Sequence, residues 1–212
     1  MGPPVRELLE LRQSEQPGPS PRRATGLFHT AFLYPTRGQL GSAQLRVAEE
    51  RAAFSGASDH LVSEALYLDD PDALGIELYR DRPRDAWPQP DAGERVKMDT
   101  LPLDLQALAA EAEGDAEGVR IGHVHLKVAD VAAATRFWTD DVGLELMTGW
   151  DGQAAFLAAD GYHHHVGVNA WFSRAADPEP PERPGLDAVV LGGTGRAAEL
   201  RSPDGLRVVL EP

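Results

Sequence analysis

One pattern occurs twice in the chain and constrains its fold more than any other feature of the sequence. A strand-like segment with a histidine, GLFHTAFLYP at residues 26–35, precedes RGQLGSAQLRVAEERAAF, whose apolar residues recur at helical intervals. IGHVHLKV at residues 121–128, followed by DVAAATRFWTDDVG, repeats this order. Strand-like segments then follow in both copies, LVSEALYL and GIELY in the first, AAFLAAD and HHHVGVNAWF in the second. The repeat predicts two similar units in which a strand and a helix precede further strands.

The segments outside these copies set the expected boundaries. Residues 1–24 read as a short opening segment and a Pro-rich connector, and residues 25–84 as the first unit. Residues 85–118 form a linker that contains a short helix in PLDLQALAAEAEG, and residues 119–172 are the second unit. Residues 173–212 contain strand-like LDAVVL, AAEL and LRVVLEP without an obvious helix, which predicts an abbreviated, β-rich C-terminal unit.

Composition excludes several classes of function. The chain has no cysteine, so any metal site must use histidine and carboxylate ligands. Its formal net charge is -14, which disfavours a nucleic-acid partner. No apolar run is long enough to span a bilayer, and the opening MGPPVRELLELRQ lacks the apolar core of a secretory signal. We therefore expect a cytoplasmic protein without a membrane or nucleic-acid partner.

Two strand-like segments present metal-binding side chains opposite an apolar face. Side chains alternate across a strand, so Val124, Leu126 and Val128 of IGHVHLKV share one face. His123, His125 and Lys127 share the other. In GIELY, Glu77 points away from its two aliphatic neighbours. Two histidines and one carboxylate match the ligand set of many Fe(II) oxygenases. A single strand histidine or glutamate more often has a structural role or faces water, so spacing alone leaves both interpretations open.

Four segments of the chain resemble signature sequences of catechol-2,3-dioxygenase-like proteins in the vicinal oxygen chelate superfamily, which also includes glyoxalases and bleomycin-resistance proteins. They are GLFHTAFLYP, SDHLVSEALYLDDPDALGIELYRDRP, IGHVHLKVAD and GYHHHVGVNAW, spread over residues 25–172. The resemblance implies an α+β fold of paired βαβββ units whose curved sheets enclose a metal. Full-length relatives contain four units, whereas this chain resembles two complete ones. VRELLELR resembles only the last strand of a preceding unit, and residues 186–212 resemble a fourth unit without its helix.

The resemblance also implies the metal ligands. His29 corresponds to a ligand on the first strand of one unit, Glu77 to the carboxylate on its last strand, and His123 to the ligand on the first strand of the next unit. His125 shares a strand face with His123 and stays a rival ligand. The implied metal is Fe(II), with Mn(II) or another divalent ion as the alternative.

Candidate catalytic residues follow from the same resemblance. His60 lies in a segment similar to the one that carries an acid-base histidine, and Tyr67 resembles a tyrosine that hydrogen-bonds substrate. An exposed loop histidine and a core aromatic are the alternative interpretations. Within the run of three histidines, alignment favours His164 as a further acid-base group, and strand alternation would turn His163 and His165 to the opposite face.

One turn departs from the family pattern. Relatives read DPDGNG where this chain reads DPDALG, so Ala73 and Leu74 replace a glycine and an asparagine that suit left-handed backbone. We therefore expect the turn that precedes Glu77 to differ from that of the relatives.

The leading functional hypothesis is extradiol cleavage of a catechol-like aromatic with dioxygen as the second substrate. Two alternatives stay open on the same scaffold. A glyoxalase-like lyase or isomerase would add a fourth protein ligand, and a drug-binding protein of the bleomycin-resistance type would have an aromatic pocket without metal. Because the unit missing relative to the relatives would leave sheet edges and apolar surface uncovered, we also expect a homodimer.

Overall fold

The computed structural model describes residues 8–16, 18–19, 21–178, 180 and 182–212, and its central feature is one mixed sheet of eight strands. The first unit has the order strand, helix and three strands. Its elements are β1 (Gly26–Leu33), α1 (Arg37–Glu49), β2 (Gly56–Asp59), β3 (Ser63–Asp69) and β4 (Gly75–Asp81). β2 consists of only four residues, GASD, and has no apolar alternation that would mark it in the sequence.

The linker contains a 3-10 turn at Arg84–Ala86 and the predicted short helix, α2 (Leu105–Ala110). The second unit then repeats the order of the first. Its elements are β5 (Arg120–Lys127), α3 (Val131–Arg136) with a π-helical continuation at Phe137–Val142, β6 (Glu145–Trp150), β7 (Ala154–Ala158) and β8 (Val166–Asn169). The C-terminal segment forms a separate three-stranded sheet of β9 (Ala188–Leu191), β10 (Ala198–Arg201) and β11 (Arg207–Leu210).

The two units join edge to edge within the large sheet, whose strand order is β2-β3-β4-β1-β5-β8-β7-β6. β1 and β5 pair antiparallel at the junction. One apolar cluster packs α1 and α2 against the first unit, and a larger one joins α3, the second unit and the C-terminal sheet. The predicted α+β fold of paired βαβββ units is confirmed. None of the helices in the described residues is long and apolar enough to cross a bilayer.

Side-chain caps begin α1 and α3. The Thr36 hydroxyl accepts a hydrogen bond from the backbone N–H of Gln39 at 3.1 Å, and the Asp130 carboxylate accepts one from Ala133 at 3.0 Å. Each cap satisfies a backbone donor that the first helical turn leaves unpaired. Both helices therefore start directly after the strand that carries the candidate histidines.

The strand predicted for VRELLELR does not form in residues 8–12, the part of this segment that lies within the described residues. Leu8, Leu9 and Leu11 are exposed there, and the ladders of the two sheets do not include them. A strand needs a neighbour to satisfy its backbone groups, and none of the described strands pairs with this segment. Residues 5–7 of the segment lie outside the described residues.

The turn between β3 and β4 forms around Asp70 despite its departure from the family pattern. The Asp70 carboxylate accepts hydrogen bonds from the backbone N–H groups of Asp72 at 2.9 Å and Leu74 at 2.8 Å. Ala73 adopts the left-handed conformation, with φ of 61°. That conformation costs a residue with a Cβ atom about 1–2 kcal/mol, so the turn stores strain at Ala73.

Replacing Ala73 with glycine should raise the free energy of unfolding by about 0.5–1 kcal/mol, because relief of the strain outweighs the added entropy of the unfolded chain. Urea denaturation measures the change. Ala132→Gly is the matched control, since Ala132 is exposed in α3 and glycine there should cost about 0.5–1 kcal/mol. Destabilisation of similar size in both variants would contradict the assignment of strain to Ala73.

Candidate metal centre

Three adjacent strands bring two of the predicted ligands together across one small residue. Ala31 on β1 pairs with Glu77 on β4 at one side and with His123 on β5 at the other. Paired residues on neighbouring strands point to the same face, so Glu77 and His123 extend towards each other over Ala31. The methyl group of Ala31 is small enough to leave the space in which the two side chains meet.

His29 joins them from the next row of the same face, because it precedes Ala31 by two residues on β1. Its partner on β4 is Gly75. A Cβ atom at Gly75 would lie 2.2 Å from the Phe28 carbonyl oxygen and 2.9 Å from the His29 Cβ atom. Only glycine lets β4 approach β1 so closely, and this approach brings Glu77 within reach of His29.

The three candidate ligands form a compact buried cluster. The Nε2 atoms of His29 and His123 lie 2.8 Å and 3.0 Å from the same oxygen, Oε2 of Glu77. One ligand atom of each residue lies within 4.8 Å of the other two. The three residues are 6%, 3% and 2% exposed for His29, His123 and Glu77, so water satisfies little of their polar surface.

These residues fit a divalent cation. His29 Nε2 is buried and has no hydrogen-bond partner among the described residues, although it lies 2.8 Å from the Glu77 carboxylate. A nitrogen lone pair that faces a carboxylate oxygen at this distance is repelled unless a proton or a cation lies between them. Two imidazole nitrogens and one carboxylate are ligands that Fe(II), Mn(II) and Zn(II) accept.

The charge states of the cluster also suit a cation. Burial alone would raise the pKa of Glu77, but the attraction of His123 and His29 outweighs it and holds that pKa well below its ordinary value. Burial lowers the pKa of His123 to about 4, although Glu77 opposes the shift. At neutral pH the cluster therefore contains a carboxylate and a neutral imidazole, the forms that bind metal.

His125, the rival ligand, lies outside this cluster in the structure. It pairs with His29 across β1 and β5, and the centroids of their rings are 5.0 Å apart. Its imidazole packs against Gly167, where a Cβ atom would lie 2.9 Å from the His125 Cγ atom. Burial lowers the pKa of His125 well below its ordinary value, so it is a neutral imidazole at neutral pH. Of the two β5 histidines, His123 is the one placed beside Glu77.

Tyr67 and His60 lie beside the candidate ligands, on the side of Glu77. Tyr67 on β3 pairs with Glu77, and its hydroxyl lies 2.7 Å from His60 Nε2. His60 Nδ1 lies 2.7 Å from the carbonyl oxygen of Asp99. Since a carbonyl only accepts, Nδ1 of a neutral His60 carries the proton, and Nε2 accepts a hydrogen bond from Tyr67. Burial, followed by the charge of Glu77, raises the pKa of Tyr67 well above its ordinary value, so it is a neutral phenol.

The run of three histidines does not follow the alternation expected of a strand. β8 begins at Val166, after the run, so the strand geometry that would turn His163 away from His164 does not apply. His163 and His164 are both buried, and their Nδ1 atoms lie 2.7 Å apart. His164 lies against the centre, with its ring centroid 4.0 Å from that of His123. The prediction that His163 faces the opposite side is therefore wrong.

The sequence analysis did not predict three residues near the candidate metal centre. Ala31 separates Glu77 from His123, Asp99 orients His60, and Asp81 accepts a hydrogen bond from His163 Nε2 at 2.8 Å. Alternation along β4 could have pointed to Asp81, since it lies four residues after Glu77 on the same face. Ala31 and Asp99 carry no local signal, because their roles depend on the pairing of distant segments.

Comparison with known proteins supports the fold. No protein-family profile matches the chain. The catechol-2,3-dioxygenase of Bacillus subtilis strain 168 is 44% identical over 190 residues, which cover 86% of this chain and 66% of that protein. The crystal structure of a Bacillus subtilis protein described as a dioxygenase has the same fold, with a TM-score of 0.55 at 11% identity over 90% of this chain and 65% of that chain. The chain belongs to the vicinal oxygen chelate superfamily.

This vicinal oxygen chelate protein spans just under two thirds of the length of the curated relative that it matches. Glyoxalase I from Zea mays superimposes with a TM-score of 0.47 at 14% identity, over 89% of this chain and 68% of that chain. The two histidines and the glutamate of the cluster all fall within the paired βαβββ units that the chain contains in full.

Proposed function

We propose that the chain is a metal-dependent dioxygenase that cleaves a catechol-like ring beside its two hydroxyl groups. The observation that carries the proposal is the buried cluster of His29, Glu77 and His123, with the Tyr67 and His60 pair directly beside it. Its 44% identity to a catechol-2,3-dioxygenase supports the same reaction. Fe(II), or Mn(II) in its place, would chelate the two adjacent oxygens of the aromatic and bring dioxygen next to it.

The number of ligands favours this function over a glyoxalase-like reaction. That alternative would use a fourth protein ligand, whereas the cluster found among the described residues has three members. A metal held by three protein ligands would have positions left for both catechol oxygens and for dioxygen. A drug-binding protein without metal is disfavoured too, because burying two imidazoles and a carboxylate together is costly unless a cation pairs with them.

Tyr67 and His60 supply the proton chemistry of the proposed reaction. The catechol must lose a proton when it binds, and a basic group beside the metal accepts it. His60 Nε2 can accept a proton that passes through the Tyr67 hydroxyl, because the two atoms are already hydrogen-bonded at 2.7 Å. The Asp99 carbonyl stabilises the imidazolium that then forms, since it accepts a hydrogen bond from Nδ1. His164, beside His123, is the second acid-base group.

Aromatic side chains next to the cluster support an aromatic substrate. Phe28 contacts both His29 and His125, and Trp171 packs edge-on against Phe28 with ring centroids 5.5 Å apart. Trp171 is 38% exposed, so part of its ring is available to a ligand. Edge-to-face contacts with such rings orient a planar substrate. The homodimer and the cytoplasmic location expected from the sequence stay predictions.

Oxygen consumption with catechols tests the proposal. The metal-free chain is loaded anaerobically with Fe(II), mixed with catechol and substituted catechols, and exposed to dioxygen in an oxygen electrode. We expect equimolar uptake of dioxygen and aromatic, with both atoms of labelled dioxygen found in the ring-opened product. Uptake that produces hydrogen peroxide and leaves the ring intact would contradict the proposal.

Replacing Tyr67 with phenylalanine should separate proton transfer from metal binding. We expect kcat to fall by about 10²–10⁴-fold, the usual contribution of a positioned acid-base group, while metal content stays near that of the unchanged protein. His60→Asn should behave in the same way. Metal analysis and steady-state kinetics measure the two effects.

Tyr34→Phe is the matched control for Tyr67→Phe. Tyr34 is also buried, but it belongs to the apolar cluster under α1. Its loss of a hydroxyl should leave both turnover and metal content unchanged. If Tyr67→Phe lost its metal, the hydroxyl would support the metal centre itself, and its assignment to proton transfer would be wrong.

A further inference from the structure

Three buried or half-buried side chains form a hydrogen-bonded chain that ends at the metal centre. Asp81, at the end of β4, accepts a hydrogen bond from His163 Nε2 at 2.8 Å. His163 Nδ1 in turn lies 2.7 Å from His164 Nδ1. His164 packs its ring against His123, one of the candidate ligands, with a centroid separation of 4.0 Å. His163 has no exposed surface, so these two contacts account for both of its ring nitrogens.

The proton positions along this chain follow from what each group can donate. The Asp81 carboxylate only accepts, and it also accepts a hydrogen bond from the Tyr162 hydroxyl at 2.9 Å. The proton between Asp81 and His163 therefore belongs to His163 Nε2. A neutral His163 then has a lone pair on Nδ1, so the proton between the two histidines belongs to His164 Nδ1. The lone pair of a neutral His164 is consequently on Nε2.

We propose that Asp81 and His163 are positioning residues that hold His164 in the tautomer protonated on Nδ1, with Nε2 free to accept a proton at the metal centre. The assignment of His164 as a base rests on the proposed function, whereas the tautomer itself rests only on the hydrogen bonds. An isolated histidine prefers the opposite tautomer, with the proton on Nε2. Without the hydrogen bonds from Asp81 to His163 and His164, His164 would present a protonated Nε2, a donor, where the reaction needs an acceptor.

The groups around this hydrogen-bonded series support a positioning role for Asp81 and His163. Asp81 is held from two sides, because the Tyr162 hydroxyl that it binds also lies 2.9 Å from the Tyr79 hydroxyl. The Asp81 side chain is 26% exposed and lines a surface cavity with Arg84 and Trp87. The hydrogen-bonded series from Asp81 to His164 therefore connects the buried centre to solvent.

Nitrogen-15 NMR of the full, metal-free chain measures the tautomer directly. Long-range correlations from the ring carbon-bound protons distinguish a protonated, pyrrole-like nitrogen from a bare, pyridine-like one. We expect pyrrole-like Nδ1 and pyridine-like Nε2 for His164, and the reverse for His163. A pyrrole-like Nε2 at His164, or a His163 protonated on both nitrogens, would overturn the proposal.

Two substitutions at His163 test the cause. His163→Leu removes the acceptor, so His164 should change to the tautomer with the proton on Nε2. His163→Asn keeps an acceptor near the position of Nδ1 and should keep the native tautomer. His165→Asn is the control, because His165 Nδ1 accepts a hydrogen bond from Ala159 and takes no part in the chain. An unchanged His164 tautomer in folded His163→Leu would overturn the proposal.

Kinetics of the Fe(II)-loaded variants give a second readout. His163→Leu should lower kcat on the order of 10²-fold with little change in KM, and His163→Asn should restore most of the loss. An unchanged kcat in His163→Leu would overturn the positioning role. If the unchanged protein has the expected tautomer but cleaves no catechol, the proposed function fails while the tautomer assignment stands. An active enzyme with His164 protonated on Nε2 would overturn the tautomer assignment alone.

Discussion

Glu77→Gln should lower the affinity of the chain for a divalent ion by about tenfold or more. Glutamine has nearly the same shape, so the fold of β4 should persist, but the cluster loses its only negative charge. The two remaining ligands would be neutral imidazoles, which hold a divalent cation less firmly than a site with a carboxylate. Titration calorimetry with Mn(II), followed by metal analysis after anaerobic loading with Fe(II), measures the change.

Glu145→Gln is the matched control for this variant. Glu145 belongs to β6 of the same sheet, but it is exposed and pairs with Arg95 at 2.8 Å. Its substitution removes the same charge from the chain, so the net charge of the protein changes equally in both variants. Stoichiometric metal in Glu77→Gln, at the affinity of the control, would exclude Glu77 as a ligand.

His123→Ala should abolish stoichiometric metal binding, whereas His125→Ala should retain it. The two histidines lie on the same strand and are equally buried, each 3% exposed, so their truncation should cost similar stability. They differ in position, because His123 Nε2 lies 3.0 Å from Glu77 Oε2 and His125 lies outside the cluster. Loss of one of three ligands should weaken metal binding by an order of magnitude or more.

Thermal denaturation of the metal-free forms separates metal loss from unfolding. Equal melting temperatures in His123→Ala and His125→Ala, together with metal in His125→Ala alone, would match the proposed ligand set. The opposite pattern, with metal kept by His123→Ala and lost by His125→Ala, would identify His125 as the ligand. Retention of metal by both variants would show that neither β5 histidine binds it.

Much of the candidate site follows from short stretches of sequence. The repeated strand and helix pattern predicts the paired units, and alternation places His123 and Glu77 off the apolar faces of their strands. Resemblance to one family then selects His29, Glu77, His123, His60 and Tyr67 from the other polar residues. These predictions depend only on local periodicity and on motifs of about ten residues. Both can be recognised in the sequence without knowledge of the fold.

Predictions from the local sequence were wrong where a segment did not have regular strand geometry. His163 and His164 precede β8, so the twofold period of a strand does not govern them, and both side chains turn inward. The turn at Ala73 is the converse case. Its residues lack the expected glycine, yet the Asp70 carboxylate organises a turn there at the cost of a left-handed alanine.

By itself, the sequence determined which residues can bind a metal and on which face of its own strand each one lies. Only the tertiary structure decided that they meet. Glu77 and His123 come from different units and are neighbours because β4 and β5 both pair with β1 in the register that sets Ala31 between them. Register between strands depends on hydrogen bonds and packing among segments far apart in the chain, and no single segment encodes it. This dependence on distant segments explains why His123 lies beside Glu77 and why Asp81 lies beside His163.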